Sequence, residues 1–373
     1  MIWLLAVIGV AWIFILIHNI VFSLRLEWLT ESTAQLKSAP SVSIVVPARN
    51  EADIIERSLS SLLHLDYPDF EVILVDDQSV DGTAEIAATM AATDSKLSVI
   101  TGDELPSGWV GKSWALHQGV SRARGEWLLF TDADCIHHPQ SLRAAMGFAC
   151  DRQKDFVSMI PALERVNFAE KLVRPAFITI LGTFFSLARI NRHPRRALVA
   201  GAFILVKRSV YEAVGGHTSI AASIVDDLSL AHLIKASGAS AWTVVTRDLV
   251  LTRQYHSLKD VWEGLSKHGF ALMKRSVARA LVFGLGVLLM VSVPVVGLGV
   301  GLFAHHWAVV GLSASSLAVI VLLGIGCAQM LNIRMGWALF LPIGLLLYML
   351  IVIHSMVQAL RGKLVWSGRH YGR

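Results

Sequence analysis

The chain has 373 residues, of which 54% are hydrophobic and only 16% are charged. This composition is too apolar for an ordinary soluble protein. The length allows one α/β domain of about 200–250 residues plus membrane segments. The formal net charge of +5 is mild and includes no long Lys/Arg run, which argues against nucleic-acid binding and favours contact with an anionic lipid surface. The three cysteines are sparse and show no metal-type spacing, which argues against a disulfide framework and is typical of a reducing cytosol.

The first apolar segment, Ile2–Leu24, is interrupted by His18 and Asn19. No basic residue precedes it and Arg25 follows it, whereas a signal peptide begins with basic residues and ends in small ones. We therefore predict an uncleaved transmembrane anchor over 1–24, with its C-terminal end in the cytosol, followed by a polar linker over 25–40.

A soluble domain is predicted over 41–276, because strand and helix patterns alternate there. The predicted strands are Val42–Val46, Phe70–Val75, Leu97–Ile100 and Glu126–Phe130, and the predicted helices are Glu51–Leu65, Gly82–Met90 and Lys112–Ala123. This alternation predicts an α/β fold with a mostly parallel sheet. Farther along, Leu172–Ile190 is either a core helix or an amphipathic helix in the membrane interface, and the second interpretation is favoured.

Three apolar stretches follow, Val277–Phe303, Trp307–Leu331 and Ala338–Leu360, and each is long enough to span a bilayer. Three spans after a cytosolic domain place the C-terminus outside, yet the tail over 361–373 is basic and the positive-inside rule favours the cytosol. Two explanations are open: Val277–Phe303, which contains Pro294 and five glycines, enters the membrane and returns, or the charge rule fails in this chain. We favour a cytosolic tail.

Polar residues follow the first predicted strand: Pro47 ends it, and Arg49, Asn50 and Glu51 open the next segment. Ligands of open α/β sheets bind beyond the C-terminal ends of the strands. These residues therefore form either a loop that holds a nucleotide or simply the capped start of a helix.

The second strand ends in Asp76 and Asp77. Two adjacent acids at this position need partners, and a ribose or a uracil-type base supplies hydrogen-bond donors for them. Asp81, which follows, has two interpretations, a ligand contact or a turn and helix cap.

The fourth strand leads into Asp132-Ala133-Asp134. Two acids at alternate positions at the end of a strand point to the same side, and a hard divalent cation that neutralises a diphosphate prefers such oxygen ligands. We predict that Asp132 and Asp134 bind this metal. Asp-x-Asp alone is common in turns, so the prediction rests on the three-strand context.

Two further motifs flank this region. Lys112 stands at a predicted helix start, where a phosphate is favoured, although the glycine spacing is not that of a Walker A loop. The neighbouring Trp109 and Trp114 serve either this site or core packing.

Asp226 and Asp227 precede an apolar helical pattern. One acid suits a helix cap, and a carboxylate is also the usual base for an acceptor hydroxyl, so Asp227 is the favoured base with Asp226 beside it.

The remaining candidates combine basic or amide groups with tryptophan. Arg253, Gln254 and Trp262, and in the tail Trp366 and Arg369, suit either a membrane interface or a pocket for the acceptor and the sugar diphosphate.

Together these motifs resemble the inverting family 2 glycosyltransferases, whose GT-A fold is a Rossmann-like nucleotide-diphospho-sugar transferase domain. The resemblance covers about Ser41–Arg275 and the tail. The order of anchor, domain and three C-terminal helices, with Gly108–Lys112 and the tail motif Trp366–Tyr371, is similar to the lipid-modifying branch of hopene-associated, carotenoid and ceramide glycosyltransferases.

The resemblance implies that Asp77 and its neighbours bind the nucleotide, that Asp134 binds Mg²⁺ or Mn²⁺, and that Asp227 is the base. Two departures matter: the usual Glu-Asp base motif is Asp226-Asp227, and the Gln-x-x-Arg-Trp motif of processive members is not intact, because no Arg-Trp pair follows Gln254. This favours one sugar per acceptor over polymer synthesis.

The expected function is therefore the transfer of one sugar, with inversion, from a nucleoside diphosphate sugar, in the first place a UDP-sugar, to the hydroxyl of a polyprenoid, hopanoid or similar membrane lipid. The alternatives are a processive polysaccharide synthase and a non-catalytic membrane scaffold. The expected organisation is an anchor at 1–24, a linker at 25–40, a catalytic domain at 41–276, about three transmembrane helices within 277–360 and a basic cytosolic tail at 361–373. The expected location is a bacterial inner membrane, with the catalytic domain in the cytoplasm.

Overall fold

The computed structural model describes residues 1–31, 39–164, 166–184, 187–252, 257–273, 276–361, 364–366 and 369–371, with the side chains of 267, 268, 271, 364–366 and 369–371 outside that description. In chain order, the helices are α1 (Ile2–Leu24), α2 (Ile55–Leu63), α3 (Thr83–Ala91), α4 (Gly111–Arg122), α5 (Ser141–Asp151), α6 (Phe168–Phe184), α7 (Leu187–Arg192), α8 (Arg208–Ala213), α9 (Asp226–Ala236), α10 (Leu258–Leu272), α11 (Val277–Phe303), α12 (Trp307–Met330) and α13 (Leu341–Leu360). The described residues also include 3₁₀ helices at Gly216–Ile220 and Met335–Phe340.

The strands are β1 (Val42–Ala48), β2 (Phe70–Asp76), β3 (Leu97–Thr101), β4 (Trp127–Phe130), β5 (Cys135–His137), β6 (Phe156–Ile160), β7 (Ala162–Leu163), β8 (Ile204–Lys207), β9 (Ala241–Val245), β10 (Val250–Thr252), β11 (Leu364–Trp366) and β12 (Arg369–Tyr371).

The chain forms two compact units, and both are discontinuous in sequence. The sheet unit comprises Arg25–Glu164 and Leu187–Gln254, and the helical unit comprises Met1–Leu24, Arg165–Ser186 and Tyr255–Arg373. The predicted range 41–276 therefore differs from the sheet unit at both ends, and it also contains α6 and α10, which the structure groups with the apolar helices.

The sheet unit is built on a seven-stranded sheet in the order β3-β2-β1-β4-β8-β6-β9. Strands β1, β2, β3 and β4 pair in parallel, and β8 is antiparallel to both of its neighbours. The mostly parallel sheet predicted from the strand–helix alternation is thus confirmed. Its strands are apolar on both faces because helices cover both, and the core residues Ile44, Leu74 and Leu129 are fully buried.

The predicted helix from Glu51 begins only at Ile55. The backbone N–H of Glu51 donates to Thr83 Oγ1 (2.8 Å), and that of Ala52 donates to Asp81 Oδ2 (3.0 Å). Because these groups bind the loop after β2, the segment is held as a loop and the helix starts later.

The prediction of a free linker over 25–40 is wrong at its start. Leu26 and Leu29 are buried, Trp28 forms a parallel bridge with Val245, and the Leu29 N–H donates to the Val245 carbonyl (2.8 Å). The apolar side chains in this stretch bury themselves against the edge strand β9, which a solvated linker does not do. Residues 32–38 lie outside the described part of the chain.

Among its described residues, the helical unit contains four helices that are long and apolar enough to cross a membrane: Ile2–Leu24, Val277–Phe303, Trp307–Met330 and Met335–Leu360. Helices α1, α11 and α12 pack closely through small residues. A Cβ atom at Gly297 would lie 2.6 Å from Ser313 Oγ and 3.3 Å from Leu5. Small residues at such contacts let helix backbones approach each other, as in membrane proteins generally.

The hypothesis that Val277–Phe303 enters the membrane and returns is wrong. This segment is one helix of 27 residues that continues through Pro294, and it is about 40 Å long. Two of its glycines serve packing: Gly297 contacts α1 and α12 closely, and Gly301 contacts α12. Backbone hydrogen bonds cannot be replaced by water in an apolar environment, which favours the unbroken helix.

The ambiguous stretch 172–190 is divided between α6 and α7, and only α6 belongs to the helical unit. Helix α6 packs within the helical unit, with Val173, Ala176 and Ile180 buried against the apolar helices and Phe168 and Phe184 exposed at its ends. One face of α6 is thus apolar and buried. Such a face agrees with a core helix and also with an amphipathic helix in the membrane interface.

Candidate functional site

The candidate residues of the sheet unit follow neighbouring parallel strands. In the register, Ala48 of β1 is opposite Asp76 of β2, and Val45 of β1 is opposite Phe130 of β4. The loops that follow these strands therefore leave the sheet at one edge, as predicted for a ligand site.

The loop after β1 is tied to the loop after β2. Asn50 adopts a left-handed conformation (φ 56°); its backbone N–H donates to Ser79 Oγ (3.0 Å) and its side-chain oxygen accepts from the Val80 N–H (3.0 Å). Asn tolerates this conformation better than most residues. Asn50 therefore has a structural role in joining the two loops.

Arg49 binds the end of β2, because its guanidinium donates to the Asp77 carbonyl (3.0 Å) and approaches Asp77 Oδ2 (3.4 Å). The carboxylate of Asp76 is buried; its Oδ2 accepts from the Ser79 N–H (3.2 Å), whereas its Oδ1 is buried without a hydrogen-bond partner among the described residues. A buried carboxylate oxygen without a donor is energetically costly, so Asp76 Oδ1 is suited to accept a hydrogen bond from a ligand.

The acids after β4 have different partners. Asp132 Oδ1 accepts from Lys112 Nζ at 2.5 Å, and Lys112 is in the first turn of α4. Asp134 Oδ2 accepts from Thr252 Oγ1 (3.2 Å), and Cys135 Sγ donates to Asp134 Oδ1 (3.5 Å). The two carboxylates are thus fixed by β10 on one side and by α4 on the other.

Asp226 and Asp227 form the first turn of α9. Asp227 Oδ1 accepts the backbone N–H of Leu228 (2.7 Å), and the N-terminal end of a helix stabilises such negative charge. Both acids line a small cavity together with Lys112 and Asp132. Its volume of about 10 Å³ is room for about one water molecule.

Gly201 marks the point where the chemistry converges. A Cβ atom built there would lie 3.1 Å from Lys112 Nζ, 3.5 Å from Asp227 Oδ2 and 3.7 Å from Asp132 Oδ2. One cation and two carboxylates from separate parts of the chain therefore surround a single point at which the chain has no side chain.

Burial and mutual repulsion change the protonation of these acids. Burial, and after it the charge of Asp226, raises the pKa of Asp227 from 3.8 to about 6, against the opposing effect of Lys112. Burial, followed by the charges of Asp134 and Asp132, raises the pKa of Glu51 from 4.5 to about 7. Glu51 therefore lies in the electrostatic field of the acids after β4.

Lys112 responds in the opposite direction. Burial by itself lowers the pKa of its ammonium group, but the charges of Asp132, Asp226 and Asp227 together outweigh burial and raise the pKa above its ordinary value. Lys112 is thus a permanent cation that neutralises part of this acidic cluster.

The fit to a divalent cation can be tested on the donor set. Among the described residues, no group of three His, Cys, Asp or Glu side chains is arranged to hold a metal, so Asp132 and Asp134 offer two carboxylates at most. Burial, followed by the charge of Asp132, raises the pKa of Asp134, against the opposing effects of Cys135, Thr252 and Lys112. Mg²⁺ is commonly held by one or two carboxylates plus phosphate and water, and this pair fits that pattern.

Several predicted site residues are not part of this cluster. Trp262 is on α10 in the helical unit, where its ring meets His354 edge to face at 5.7 Å. Arg253 and Gln254 lie outside the described residues, and for Trp366 and Arg369 only the backbone is described, in the hairpin β11–β12. Pro47 is the last residue but one of β1.

Trp109 and Trp114 contact each other edge to face with 5.0 Å between ring centroids, and each contacts His117. The Trp114 Nε1–H donates to the Asp103 carbonyl (3.2 Å). The structure therefore shows a local aromatic cluster on α4 next to Lys112, which accounts for both tryptophans by packing.

Sequence reasoning missed Gly201, Thr252 and His217. His217 lines the cavity, its Nδ1 lies 2.8 Å from Tyr211 Oη, and burial followed by the charge of Lys112 lowers its pKa to about 3. The buried imidazole is therefore neutral. Neither Gly201 nor His217 belongs to a recognisable local motif, so only the fold reveals them.

Comparison with known proteins gives a consistent result. Residues 43–215 match the family model described as Glycosyl transferase family 2. The chain is 28% identical over 236 residues, 62% of each chain, to a 4,4'-diaponeurosporenoate glycosyltransferase of Staphylococcus haemolyticus. It is 33% identical over 105 residues to Glycosyltransferase AglE of Haloferax volcanii, which is 28% of this chain and 33% of the relative. The chain thus matches less than two thirds of the length of these curated relatives.

A similar solved structure is that of a mannosyltransferase from Pyrobaculum calidifontis in complex with GDP-Man and Mn²⁺. Its identity is 23%, its TM-score is 0.51, and the superposition covers 95% of this chain and 99% of that chain. At this identity the likeness concerns the fold, and it confirms the predicted α/β fold of the GT-A type with apolar helices added.

Proposed function

We propose, from the match of residues 43–215 to the glycosyl transferase family 2 model, that the chain transfers one sugar from a nucleoside diphosphate sugar to a membrane lipid, with inversion. The observation that carries the proposal is the convergence of Lys112, Asp132 and Asp227 around Gly201. The reaction needs a cation for the leaving diphosphate and a base for the acceptor, and both are present at this point.

In the proposed reaction Asp227 removes the proton of the acceptor hydroxyl. The acceptor oxygen then attacks the anomeric carbon of the sugar, and the bond from that carbon to the diphosphate oxygen breaks, so that the diphosphate leaves with the electron pair. With a pKa of about 6, Asp227 is mostly ionised at neutral pH and is a stronger base than an ordinary carboxylate. A base pKa close to the working pH is the favourable case for proton transfer.

Lys112 and the first turn of α4 are proposed to hold the diphosphate. The ammonium group is within reach of Asp132 and Asp227, and a helix N-terminus offers backbone N–H groups to anions. When the diphosphate enters, its charge competes with Asp132 for Lys112, which frees Asp132 to bind other partners.

Asp132 and Asp134 are proposed to hold Mg²⁺ or Mn²⁺, as their donor set allows. The ion supplies Lewis-acid stabilisation of the leaving diphosphate when bound. The protein's own contribution is to orient Asp134 through the Thr252 hydroxyl (3.2 Å). The Mn²⁺ in the complex of the Pyrobaculum calidifontis mannosyltransferase supports a divalent ion of this kind.

The nucleotide is proposed to bind over the ends of β1 and β2. Asp76 Oδ1 has no donor in the described structure, and a ribose hydroxyl or a base N–H supplies one. Arg49 holds Asp77 in place through two contacts, and Pro47, Asn50 and Glu51 shape the neighbouring loop. A UDP-sugar is the first candidate donor, and the GDP-Man in the mannosyltransferase complex makes a GDP-sugar the second.

A lipid acceptor is supported by two findings. In the part of the chain that the structure describes, four helices are long and apolar enough to cross a membrane. Relatives are named for glycosyl transfer involving 4,4'-diaponeurosporenoate. We propose that the enzyme is an integral protein of a bacterial inner membrane, that its sheet unit is cytoplasmic, and that Arg253, Gln254, Trp262, Trp366 and Arg369 contribute to acceptor or diphosphate binding.

The test is a transfer assay with the full chain in lipid nanodiscs. Radiolabelled UDP-glucose and GDP-mannose are offered with a membrane lipid extract, and products are identified by mass spectrometry. We expect a lipid product that carries one sugar and that disappears in Asp227→Asn but persists in Asp69→Asn, an exposed acid of the same unit. Failure of every donor to yield a lipid product would refute the proposal, and products with long sugar chains would favour a polysaccharide synthase.

A further inference from the structure

The helical unit contains an elongated cavity of about 600 Å³, a size typical of small-molecule sites. It lies among α1, α6, α10, α11 and α13, and nearly all of its walls are apolar side chains. Its lining includes Trp12, Thr183, Arg279, Gly286, Val291 and Leu345.

The cavity has one polar end. Arg279 is in the first turn of α11, whereas Val291 is twelve residues farther along the same helix, a distance of about 18 Å. This is more than half of the roughly 30 Å thickness of a bilayer's hydrocarbon core. The cavity thus extends from a charged end deep into the apolar part of the unit.

The deep end offers no free polar group among the described residues that line it. Trp12 Nε1–H is already bound to the Met290 carbonyl (3.0 Å), and Val291 and Leu345 are apolar. Nearer the charged end, Thr183 donates to the Thr179 carbonyl (2.7 Å) and accepts from Asn19 (3.0 Å). A ligand of the deep end must therefore be a hydrocarbon.

The charged end carries Arg279, which is exposed. Within the part of the chain that the structure describes, no carboxylate forms an ion pair with its guanidinium. An unpaired cation at the mouth of an apolar cavity complements a molecule with a hydrocarbon chain and a negative end.

We propose that this cavity binds the hydrocarbon chain of the acceptor lipid and that Arg279 binds an anionic group at the polar end of that lipid; the proposal rests on the lipid acceptor of the proposed function. The acceptor class is therefore an elongated, single-chain lipid that carries an anionic group besides its acceptor hydroxyl, rather than a neutral two-chain lipid. A bilayer phospholipid that merely fills the cavity is the alternative that the experiment must separate.

Gly286 makes the cavity testable with a matched control. A Cβ atom there would meet no heavy atom within 4 Å, and the residue lines the cavity. Gly299 lies on the same helix with equally open surroundings, but it is not among the residues that line the cavity. Phenylalanine at position 286 thus fills the cavity, whereas phenylalanine at position 299 leaves it open.

The probe is a polyisoprenoid carboxylate that carries a diazirine, compared with its uncharged methyl ester, on the full chain in nanodiscs. We expect cross-links to peptides of α1 and α11, a loss of about tenfold in Gly286→Phe and less than about twofold in Gly299→Phe. Arg279→Gln should weaken labelling by the carboxylate and leave labelling by the ester unchanged.

Equal labelling in the two phenylalanine variants, or equal competition by dioleoyl phosphatidylcholine and by the unlabelled carboxylate, would overturn the inference. Labelling does not depend on turnover, so it decides the question even if no sugar transfer is found. If transfer is found and Gly286→Phe transfers sugar to the lipid as well as Gly299→Phe does, the cavity is not the acceptor site although the proposed function stands. Size-exclusion profiles and donor binding confirm that both variants are folded.

Discussion

Replacing Asp227 by asparagine removes the negative charge of the proposed base but keeps the shape of the side chain. Donor binding should survive, because Lys112 and the first turn of α4, which are proposed to hold the diphosphate, are unchanged. Transfer to a lipid hydroxyl should fall by about 10²–10⁴-fold, which is the usual contribution of a general base. The rate of transfer to a carboxylate acceptor should fall much less in this variant. A carboxyl group of ordinary pKa near 4 is already ionised at neutral pH and needs no base.

The pH profile follows from the same residue. Burial and Asp226 raise the pKa of Asp227 from 3.8 to about 6, and only the deprotonated form accepts a proton. Activity is therefore present above pH 6 and is lost as the pH falls through this value, by about tenfold between pH 7 and pH 5. Asp226→Asn removes a repulsive charge, so the midpoint of the profile should move to lower pH while transfer persists.

The assay measures initial rates with a matched pair of lipids, an alcohol and the acid of the same chain length. Asp69→Asn is the control for a change of charge on the same unit. The assignment is refuted if Asp227→Asn loses both acceptors equally, or if Asp226→Asn is the more damaging substitution.

Two other predictions concern the same cluster. Chelation by EDTA should abolish transfer, and added Mn²⁺ or Mg²⁺ should restore it. Asp134→Ala should lose activity while still folding, as checked by circular dichroism. Near-normal turnover in this variant would exclude the acid from metal binding. Gly201→Val should reduce turnover by at least about tenfold, because even the Cβ atom of the new side chain lies 3.1 Å from Lys112 Nζ and 3.5 Å from Asp227 Oδ2. Gly238→Val, at a glycine with open surroundings and φ 87°, is the control for destabilisation. Equal activity of the two variants would contradict the prediction.

The fold of the sheet unit was predictable because its signals are local. Each of the first four strands is a short apolar run that ends in a turn or in polar residues, and the intervening helices have their own periodicity. The later strands β8 and β9 were not predicted, since no local pattern sets their places in the sheet. The linker prediction was wrong at Leu26 and Leu29 because burial there depends on β9, which lies more than two hundred residues farther along the chain.

The candidate site shows the same limit. The acids Asp132, Asp134, Asp226 and Asp227 stand out because carboxylates at strand ends and helix starts require an explanation. Gly201 does not, because a glycine in a loop carries no chemical signal until the fold brings three charged groups around it. The roles of these acids stay predictions, and the assays above are what test them.

The packing of the apolar helices indicates the topology of the C-terminal segment. In the helical unit, α11 is antiparallel to α1, because Gly297 meets Leu5 and the Trp12 indole binds the Met290 carbonyl. Helix α12 returns, and the 3₁₀ helix after it folds back along α12, since a Cβ atom at Gly324 would lie 2.7 Å from the backbone of Ala338.

Helix α13 then runs toward the start of α11 and does not follow it outward. Met349 and Ile353 lie beside Gly284 in the second turn of α11, and the Phe270 N–H at the end of α10 donates to Ser355 Oγ (2.9 Å). A helix that crossed outward after α12 would end beside Phe303 instead. We therefore expect that only α11 and α12 cross the membrane after the sheet unit, so that the basic tail is cytosolic, in agreement with the positive-inside rule.

Single cysteines decide this topology once the exposed Cys150 has been replaced by serine. His305→Cys, between α11 and α12, should react with an impermeant maleimide in intact spheroplasts, because that loop lies outside. Arg373→Cys should react only after the membrane has been permeabilised. In the expected topology only α12 crosses the membrane between positions 305 and 373, so the two cysteines lie on opposite sides. Labelling of both cysteines in intact spheroplasts means that α13 crosses the membrane as well.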